Sequence, residues 1–216
     1  ALVYLPGDTT LTYYSGLAAI QNQDYKNAID KYKALIPNKE FSSHKSVLVD
    51  LPKLMLSSGD TTSALLYADS AAIAYPNDND AIIQNIELNL ISGNEEKVIT
   101  NIEGQIAKDP NNKSLLYYLG IALSSSNNTE KALDAYKKAI ALDPNYLEAN
   151  TNAAVIIMNN VRDELNALNN DKTLSNTDYN TKVQALKVKI KDALPYLEKV
   201  IELEPTNTDA LKNLKG

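Results

Sequence analysis

His44 is the single imidazole in the chain, and no cysteine accompanies it. That removes a thiolate nucleophile, a cysteine-ligated metal and any relay built on two imidazoles. His44 follows Phe41-Ser42-Ser43, and Asp50 lies nearby. An Asp and a His with no placed nucleophile make no triad. His44 therefore reads as a solvated loop residue. Asp78-Asn79-Asp80 brings two carboxyl groups together, but no glycine or further ligand follows at the spacing of a calcium loop. The pair reads as a helix cap. No glycine-rich phosphate loop exists, so no catalytic residue, metal site or cofactor is expected.

The charge balance narrows the partner class. There are 21 Lys+Arg against 27 Asp+Glu, a net charge of −6, and Arg162 is the one arginine. Such a chain is a poor candidate for gripping phosphate backbones, so no nucleic acid is expected. No run of about 18 apolar residues exists, so nothing here is expected to span a membrane. Asparagine is abundant and lysine almost replaces arginine, a composition that suggests an A/T-rich bacterial genome.

The elements that would carry any site repeat along the chain. Pro76, Pro110 and Pro144 are spaced by 34 residues, and each is followed by asparagine. Before Pro144 come Leu116, Leu119, Gly120 and Leu123, then Ala132, Tyr136 and Ala139. Corresponding offsets from Pro76 give Leu48, Leu51, Met55, Ala64, Ala68 and Ala71. From Pro110 they give Ile82, Val98 and Ile102, and from Pro205 Ala193, Leu197 and Val200. Small residues let two helix backbones approach, and a large residue one turn away fills the next gap. Proline ends each second helix, and Asn or Asp beside it caps the next. Each helix pair leaves an apolar face for its neighbour to cover.

This pattern resembles the tetratricopeptide repeat (TPR), a 34-residue helix–turn–helix. Leu-Tyr-Tyr-Leu-Gly ending at Gly120, with Lys131-Ala132-Leu133-Asp134-Ala135-Tyr136, carries the resemblance most clearly. Tyr14-Ser15-Gly16 with Tyr25-Lys26-Asn27-Ala28-Ile29-Asp30-Lys31-Tyr32 repeats it. The unit ending at Pro110 is degenerate, with Ile86 in the glycine slot, Asn85 and Asn89 in apolar slots and Gln105 in a small one. The resemblance implies an all-α, right-handed α-α superhelix of about five repeats, near 9–42, 45–78, 79–112, 113–146 and 147–207. Pro6 and the start of a helix at Thr208, with Leu211 and Leu214, suggest that both ends are cut; Ala1–Leu5 would close an earlier helix.

Two departures stand out. Pro144 and Pro205 are 61 residues apart, so the last repeat carries an insert near 159–190. Ile157, Val161, Leu165 and Leu168 face Tyr179, Val183, Leu186 and Ile190 in helical spacing, across a polar stretch at 169–177. Both helices of that repeat should be longer and form a projecting hairpin closed on itself, started by Asn176-Thr177-Asp178. Proline inside helices is the other departure: Pro195 should kink the long helix, and Pro52 should kink or shorten a first helix.

In the TPR fold the first helices line the concave face. The resemblance then places Tyr13 and Leu17, Val49 and Lys53, Ile83 and Glu87, Tyr117 and Ile121, and Thr151 and Val155 along the groove. Tyr13 and Tyr117 are candidate anchors, because tyrosine joins ring burial to one hydrogen bond. The alternative is that they are partly buried core tyrosines. A carboxylate clamp of the kind some TPR proteins use is not expected, since Lys53 is the lone groove base, with Asn152 and Gln84 as nearby amides. The expected function is a non-catalytic scaffold that binds a peptide or partner protein. The alternative is an extracytoplasmic ligand-binding or accessory subunit, for example of a glycan-uptake complex. The long-insert repeat with Ala193-Leu194-Pro195-Tyr196-Leu197-Glu198-Lys199 resembles envelope TPR proteins of Bacteroidetes-type bacteria. That resemblance suggests a periplasmic or outer-envelope location, with the cytoplasm as alternative.

Overall fold

The structure is a computed structural model and describes residues 8–208 together with 210 and 212. The expectations for Ala1–Leu5, Leu211 and Leu214 lie outside those residues. Ten helices and no strand occur among the described residues: α1 (Thr9–Gln21), α2 (Tyr25–Leu35), α3 (His44–Ser57), α4 (Thr61–Ala74), α5 (Asn79–Ile91), α6 (Glu95–Ile106), α7 (Lys113–Ser125), α8 (Thr129–Leu142), α9 (Leu147–Asn170) and α10 (Asn176–Leu203). They fall into two compact units, Ala1–Asn94 and Glu95–Gly216. Within each unit every helix packs on the next in sequence.

The turns inside the helix pairs share one chemistry. Gln23, Gly59, Gly93 and Asn127 each have positive φ. Asp24, Asp60, Asn94 and Asn128 follow them, and their N–H groups donate back to Ala19, Met55, Asn89 and Leu123 carbonyls. This closes the last turn of the first helix with a left-handed residue, which glycine adopts at Gly59 and Gly93 without steric penalty. Asp24 and Asp60 then cap the second helix through their carboxylates. The Asp8 and Asp78 carboxylates and the Asn112 amide oxygen do the same for first helices.

Alanine and glycine decide how closely the helices approach. In unit 1, Ala28, Ala64 and Ala68 are fully buried around Tyr32, Leu51 and Met55. In unit 2, Ala132, Ala139, Ala149 and Ala153 surround Leu116, Leu123 and Tyr136. The Asn85 and Asn89 slots are buried as well, and hydrogen bonds replace apolar packing there. Asn85 Nδ2 donates to Asp69 at 2.6 Å, Asn89 Nδ2 to the Asn85 carbonyl, and Asn94 Nδ2 to Asn89 Oδ1.

Three expectations need correction. His44 is not a solvated loop residue: it opens α3, is 8% exposed, and uses both ring nitrogens. Its Nε2 lies 3.0 Å from the Ile36 carbonyl, which can only accept, so Nε2 carries the proton. The Tyr75 hydroxyl therefore donates to Nδ1 at 2.7 Å. Of the kink or shortening expected at Pro52, the shortening does not occur, since α3 runs through it for 14 residues, against 13 in α1. Pro52 is itself buried, so the packing of its ring helps offset the lost backbone bond. The hairpin turn is also shorter than the polar stretch 169–177: α9 reaches Asn170 and α10 starts at Asn176. Ser175, one residue ahead of the expected cap, accepts from the Asp178 N–H at 3.1 Å.

The hairpin covers its own apolar stripe. Val161 and Leu186 are buried, while Leu165, Leu168, Tyr179 and Val183 are half-buried. Tyr179 donates to Asn169 Oδ1, and Lys189 pairs with both carboxylate oxygens of Glu164 across the two helices. Deleting Val161–Lys189 and joining the stubs with a short turn is therefore expected to leave a folded chain. Far-UV circular dichroism and a retained cooperative melt check this; loss of the melt would make the hairpin part of the core.

Acid should weaken the fold through the capping aspartates. Lys45 and the Ala81 N–H hold the Asp78 carboxyl below the usual carboxylate range, and Lys113 and the Asn145 N–H do so for Asp143. Their folded pKa values lie below the unfolded value, so their stabilisation is present above about pH 4 and is lost as pH falls through the folded values. Burial pushes Asp50 the other way, so its protonation on acidification favours the folded state. The double variant Asp78→Asn, Asp143→Asn should show a shallower fall in Tm between about pH 5 and 3 than the unaltered chain. An identical slope would show that these pairs contribute nothing.

Candidate functional site

The first helices carry the candidate surface: α1, α3 and α5 in unit 1, α7 and α9 in unit 2. In unit 1, Tyr13 is half-buried and stacks on Tyr32 with ring centroids 5.8 Å apart and planes 15° apart. Tyr14 and Phe41 meet its edges at 5.7 and 5.6 Å. In unit 2, Tyr117 is half-buried and sits among Tyr118, Tyr136 and Tyr146, 5.1–5.9 Å away. Both candidate anchors are thus held in aromatic clusters, with one partner each, Tyr32 or Tyr136, deep in the core.

The other candidates differ in what they present. Leu17, Ile83 and Ile121 are half-buried; Lys53, Glu87 and Val155 are exposed. Thr151 is half-buried and its hydroxyl donates to the Leu147 carbonyl of its own helix. Val49 presents almost no surface, because it packs with Leu48, Ala71 and Ala81 in a small core cluster. It is a core residue and not part of an open strip.

One residue further along each first helix runs a second row, Tyr14, Asp50, Gln84, Tyr118 and Asn152, of which the sequence marks Gln84 and Asn152 only as amides near Lys53. Each lies two residues before the small slot, occupied by Gly16, Pro52, Ile86, Gly120 and Ala154. Asn152 Nδ2 donates to the Tyr136 hydroxyl at 3.3 Å. Asp50 stands in the corresponding place near Tyr32, whose buried hydroxyl has no hydrogen-bond partner. Gln84 is 4% exposed, and neither Nε2 nor Oε1 has a partner. The signal was available as polar residues recurring at one offset, but burial was not.

The shifted groups along these rows are buried hydroxyls and one carboxyl. Burial pushes the Tyr32 and Tyr136 hydroxyls up, and Tyr146 up to about 12, with neighbouring tyrosines adding to the shift. These groups stay protonated at neutral pH. Burial also raises the Asp50 carboxyl, and Lys53 partly offsets this. Among the described residues no cluster of three metal-ligating side chains occurs, and no helix is long and apolar enough to cross a membrane.

Two hollows accompany these rows. Unit 2 has an open cleft of about 710 Å³ over Leu116, Leu119 and Leu123, between α6 and α8, rimmed by Glu103, Lys131, Asp134 and Lys138. Unit 1 has a narrow cleft of about 70 Å³ between α3 and α5, with Gln84 in its lining.

The α7–α8 pair, with the Tyr136 ring seated on Gly120, matches a known family model. Residues 114–146 fit the tetratricopeptide repeat. One repeat of this chain thus fits the TPR model, and its helix pairs have the TPR fold. Its fold agrees over almost its whole length with solved TPR structures. MamA 41-end from Desulfovibrio magneticus RS-1 aligns over 94% of this chain and 99% of its own, with TM-score 0.64 and 19% identity. A tetratricopeptide repeat protein from Parabacteroides merdae covers 90% and 79%, with TM-score 0.62 and 16% identity. YrrB, described as a TPR protein with an unusual peptide-binding site, covers 97% and 93%, with TM-score 0.60 and 15% identity. At such identities the likeness is one of fold. In sequence, the peroxisomal targeting signal receptor of Kluyveromyces lactis is 38% identical over 72 residues, 32% of this chain and 13% of the receptor. The photosystem I assembly protein Ycf3 of Acaryochloris marina is 36% identical over 70 residues, 31% of this chain and 42% of that protein. The matches thus span less than half the length of either relative.

Proposed function

We propose that this TPR protein is a non-catalytic interaction scaffold that binds a peptide or partner protein on the inner row of its first helices. The observation that carries this is the polar inner row of unit 1. The half-buried Asp50 and the unpartnered Tyr32 hydroxyl and Gln84 amide lie along α2, α3 and α5, beside the exposed Lys53 and Glu87. Asp50, Lys53 and Glu87 present charge at this surface for a partner to complement, above polar atoms of Tyr32 and Gln84 that are closed to solvent. The absence of catalysis is supported by His44, whose two ring nitrogens are both engaged in holding α3 to Ile36 and Tyr75. The description of YrrB as peptide-binding and the naming of the K. lactis relative as a targeting signal receptor point the same way. An envelope location in a bacterium belongs to this reading, on the resemblance of the long-insert repeat, and fractionation of the native cells tests it.

Selection of a random-sequence peptide library on the immobilised chain tests the scaffold. The selected peptides should bind saturably and shift the backbone amide resonances of Leu17, Lys53, Ile83 and Ile121. Shifts confined to α2, α4, α6 and α8, or no saturable binder, would overturn the reading.

A further inference from the structure

We infer that the open cleft of unit 2, between α6 and α8, docks a partner polypeptide segment that inserts an aromatic side chain with a basic residue next to it. This surface is separate from the inner row and stands without it.

The cleft is a slot of the repeat left unfilled. Three residues after the small positions Ala64, Ala132 and Ala193 come Tyr67 in α4, Ala135 in α8 and Tyr196 in α10; in α6 the slot is Asn101. Tyr67 packs on the clusters that hold Leu48, Leu51 and Met55 of α3, and Lys33 of α2 stands over its ring at 5.9 Å. Tyr196 packs on the clusters that hold Ala153 and Ile157 of α9. In α8 a single methyl, that of Ala135, occupies this slot. Leu116, Leu119 and Leu123, the α7 counterparts of Leu48, Leu51 and Met55, lie instead in the lining of the cleft of about 710 Å³. Ligand pockets run from about 300 to 1,000 Å³.

The apolar walls are open to a visitor. Leu116, Leu123 and Ala135 are closed at the bottom, but Ile106 and Leu119 are half-buried, and Ala107, Ala141 and Leu142 are exposed, Leu142 by 42%. The chain covers the corresponding surface of α3 and α9 with a tyrosine of its own, so an aromatic ring is the group whose shape this slot takes.

The charge beside the slot changes with the ring. Five residues after the small position of the preceding second helix stands Lys33, ahead of Tyr67, and Lys137, ahead of Tyr196. Ahead of Ala135 that place is held by Glu103, exposed on the cleft rim. Where the chain supplies the ring it supplies a cation as well; where it lacks the ring it presents a carboxylate. A partner that brings the ring is complemented at Glu103 by a cation of its own. Asp134 answers Lys138 at 2.7 Å. In repeat register Glu103 lies six positions beyond Lys131, about 9 Å along the helix axis at 1.5 Å per residue. The partner's cation is thereby directed to one end of the cleft.

The test follows the Leu119 and Leu142 methyl resonances of the ¹³C-methyl-labelled full chain, assigned with Leu119→Met and Leu142→Met. The probes are p-cresol, which is the tyrosine side chain alone, and N-acetyl, C-amidated Gly-Tyr-Lys-Gly, with leucine in place of tyrosine or glutamate in place of lysine as controls. Both p-cresol and the tyrosine–lysine peptide are expected to shift the two resonances saturably. That peptide should bind about three- to tenfold more tightly than the leucine control and about two- to fivefold more tightly than the glutamate control. Ala135→Tyr, which installs the ring that α4 and α10 carry, should keep a cooperative melt and lose p-cresol binding. Glu103→Lys, at an exposed site, should keep p-cresol binding and lose the preference for lysine over glutamate. Equal affinity for the tyrosine and leucine peptides would overturn the assignment, as would p-cresol binding to a folded Ala135→Tyr chain. An unchanged charge preference in Glu103→Lys would overturn it too, and that variant decides if Ala135→Tyr does not fold. Shifts of the same methyls on concentrating the chain alone, with a dimer mass in sedimentation, would give the cleft to a second copy and overturn the partner assignment. These methyls are distinct from the inner-row amides, so the two readings fail separately.

Discussion

Alanine at Gly120 is expected to destabilise unit 2 by about 1–3 kcal/mol, while alanine at Gly104 should stabilise it by about 0.5–1 kcal/mol. Both glycines lie inside helices, α7 and α6, so helix propensity favours the change equally. The surroundings differ. A Cβ at Gly120 would lie 2.7 Å from Cδ1 and Cζ of the Tyr136 ring, well inside contact distance. That ring is 2% exposed and enclosed by Tyr117, Leu116 and Leu123, so it has nowhere to retreat. A Cβ at Gly104 would meet nothing within 4 Å. Urea denaturation of the two variants should therefore give shifts of opposite sign. Shifts of the same sign would mean that the glycine slot is not what sets the α7–α8 approach. Gly16 repeats the arrangement in unit 1, with Tyr32 Cε1 and Cδ1 2.6 and 2.8 Å from the added carbon, so Gly16→Ala should behave like Gly120→Ala.

Removing the ring itself should have the largest effect of any single change. Tyr136→Ala and Tyr32→Ala should each destabilise their unit by about 3–5 kcal/mol, through lost transfer energy and the cavity left beside a glycine that cannot fill it. Phenylalanine at the two positions separates ring from hydroxyl. The Tyr136 hydroxyl accepts from Asn152, so Tyr136→Phe should lose about 0.5–1.5 kcal/mol. The Tyr32 hydroxyl is buried with no partner, so Tyr32→Phe should be neutral or stabilising. Thermal melts of the four variants check this. A loss in Tyr32→Phe as large as in Tyr136→Phe would show that the Tyr32 hydroxyl is bonded after all.

The TPR fold was legible because it is written in local terms. The 34-residue spacing of Pro76, Pro110 and Pro144 and the small residues at Gly16, Ala28, Gly120 and Ala132 all report contacts between helices adjacent in sequence. A stack of neighbours needs little long-range information. The family model match over 114–146 falls on the stretch where the pattern was sharpest. The asparagines of α5 read as degenerate, because their compensating bonds to Asp69 and Asn94 are a matter of side-chain geometry.

By itself, then, the sequence determined that this chain forms stacked helix pairs, and where small residues let their backbones approach. The tertiary structure decided which polar groups are buried and which are answered. His44 looked like a loop residue because its partners, Ile36 and Tyr75, lie eight residues before it and 31 after it. Asp50, Gln84 and Asn152 occupy one offset in the repeat, yet Asn152 reaches a tyrosine hydroxyl and Gln84 reaches nothing. Periodicity assigns a residue to a face of its helix. Whether its donor or acceptor finds a partner depends on ångström-scale distances to a neighbouring helix, and those are set only when the helices pack.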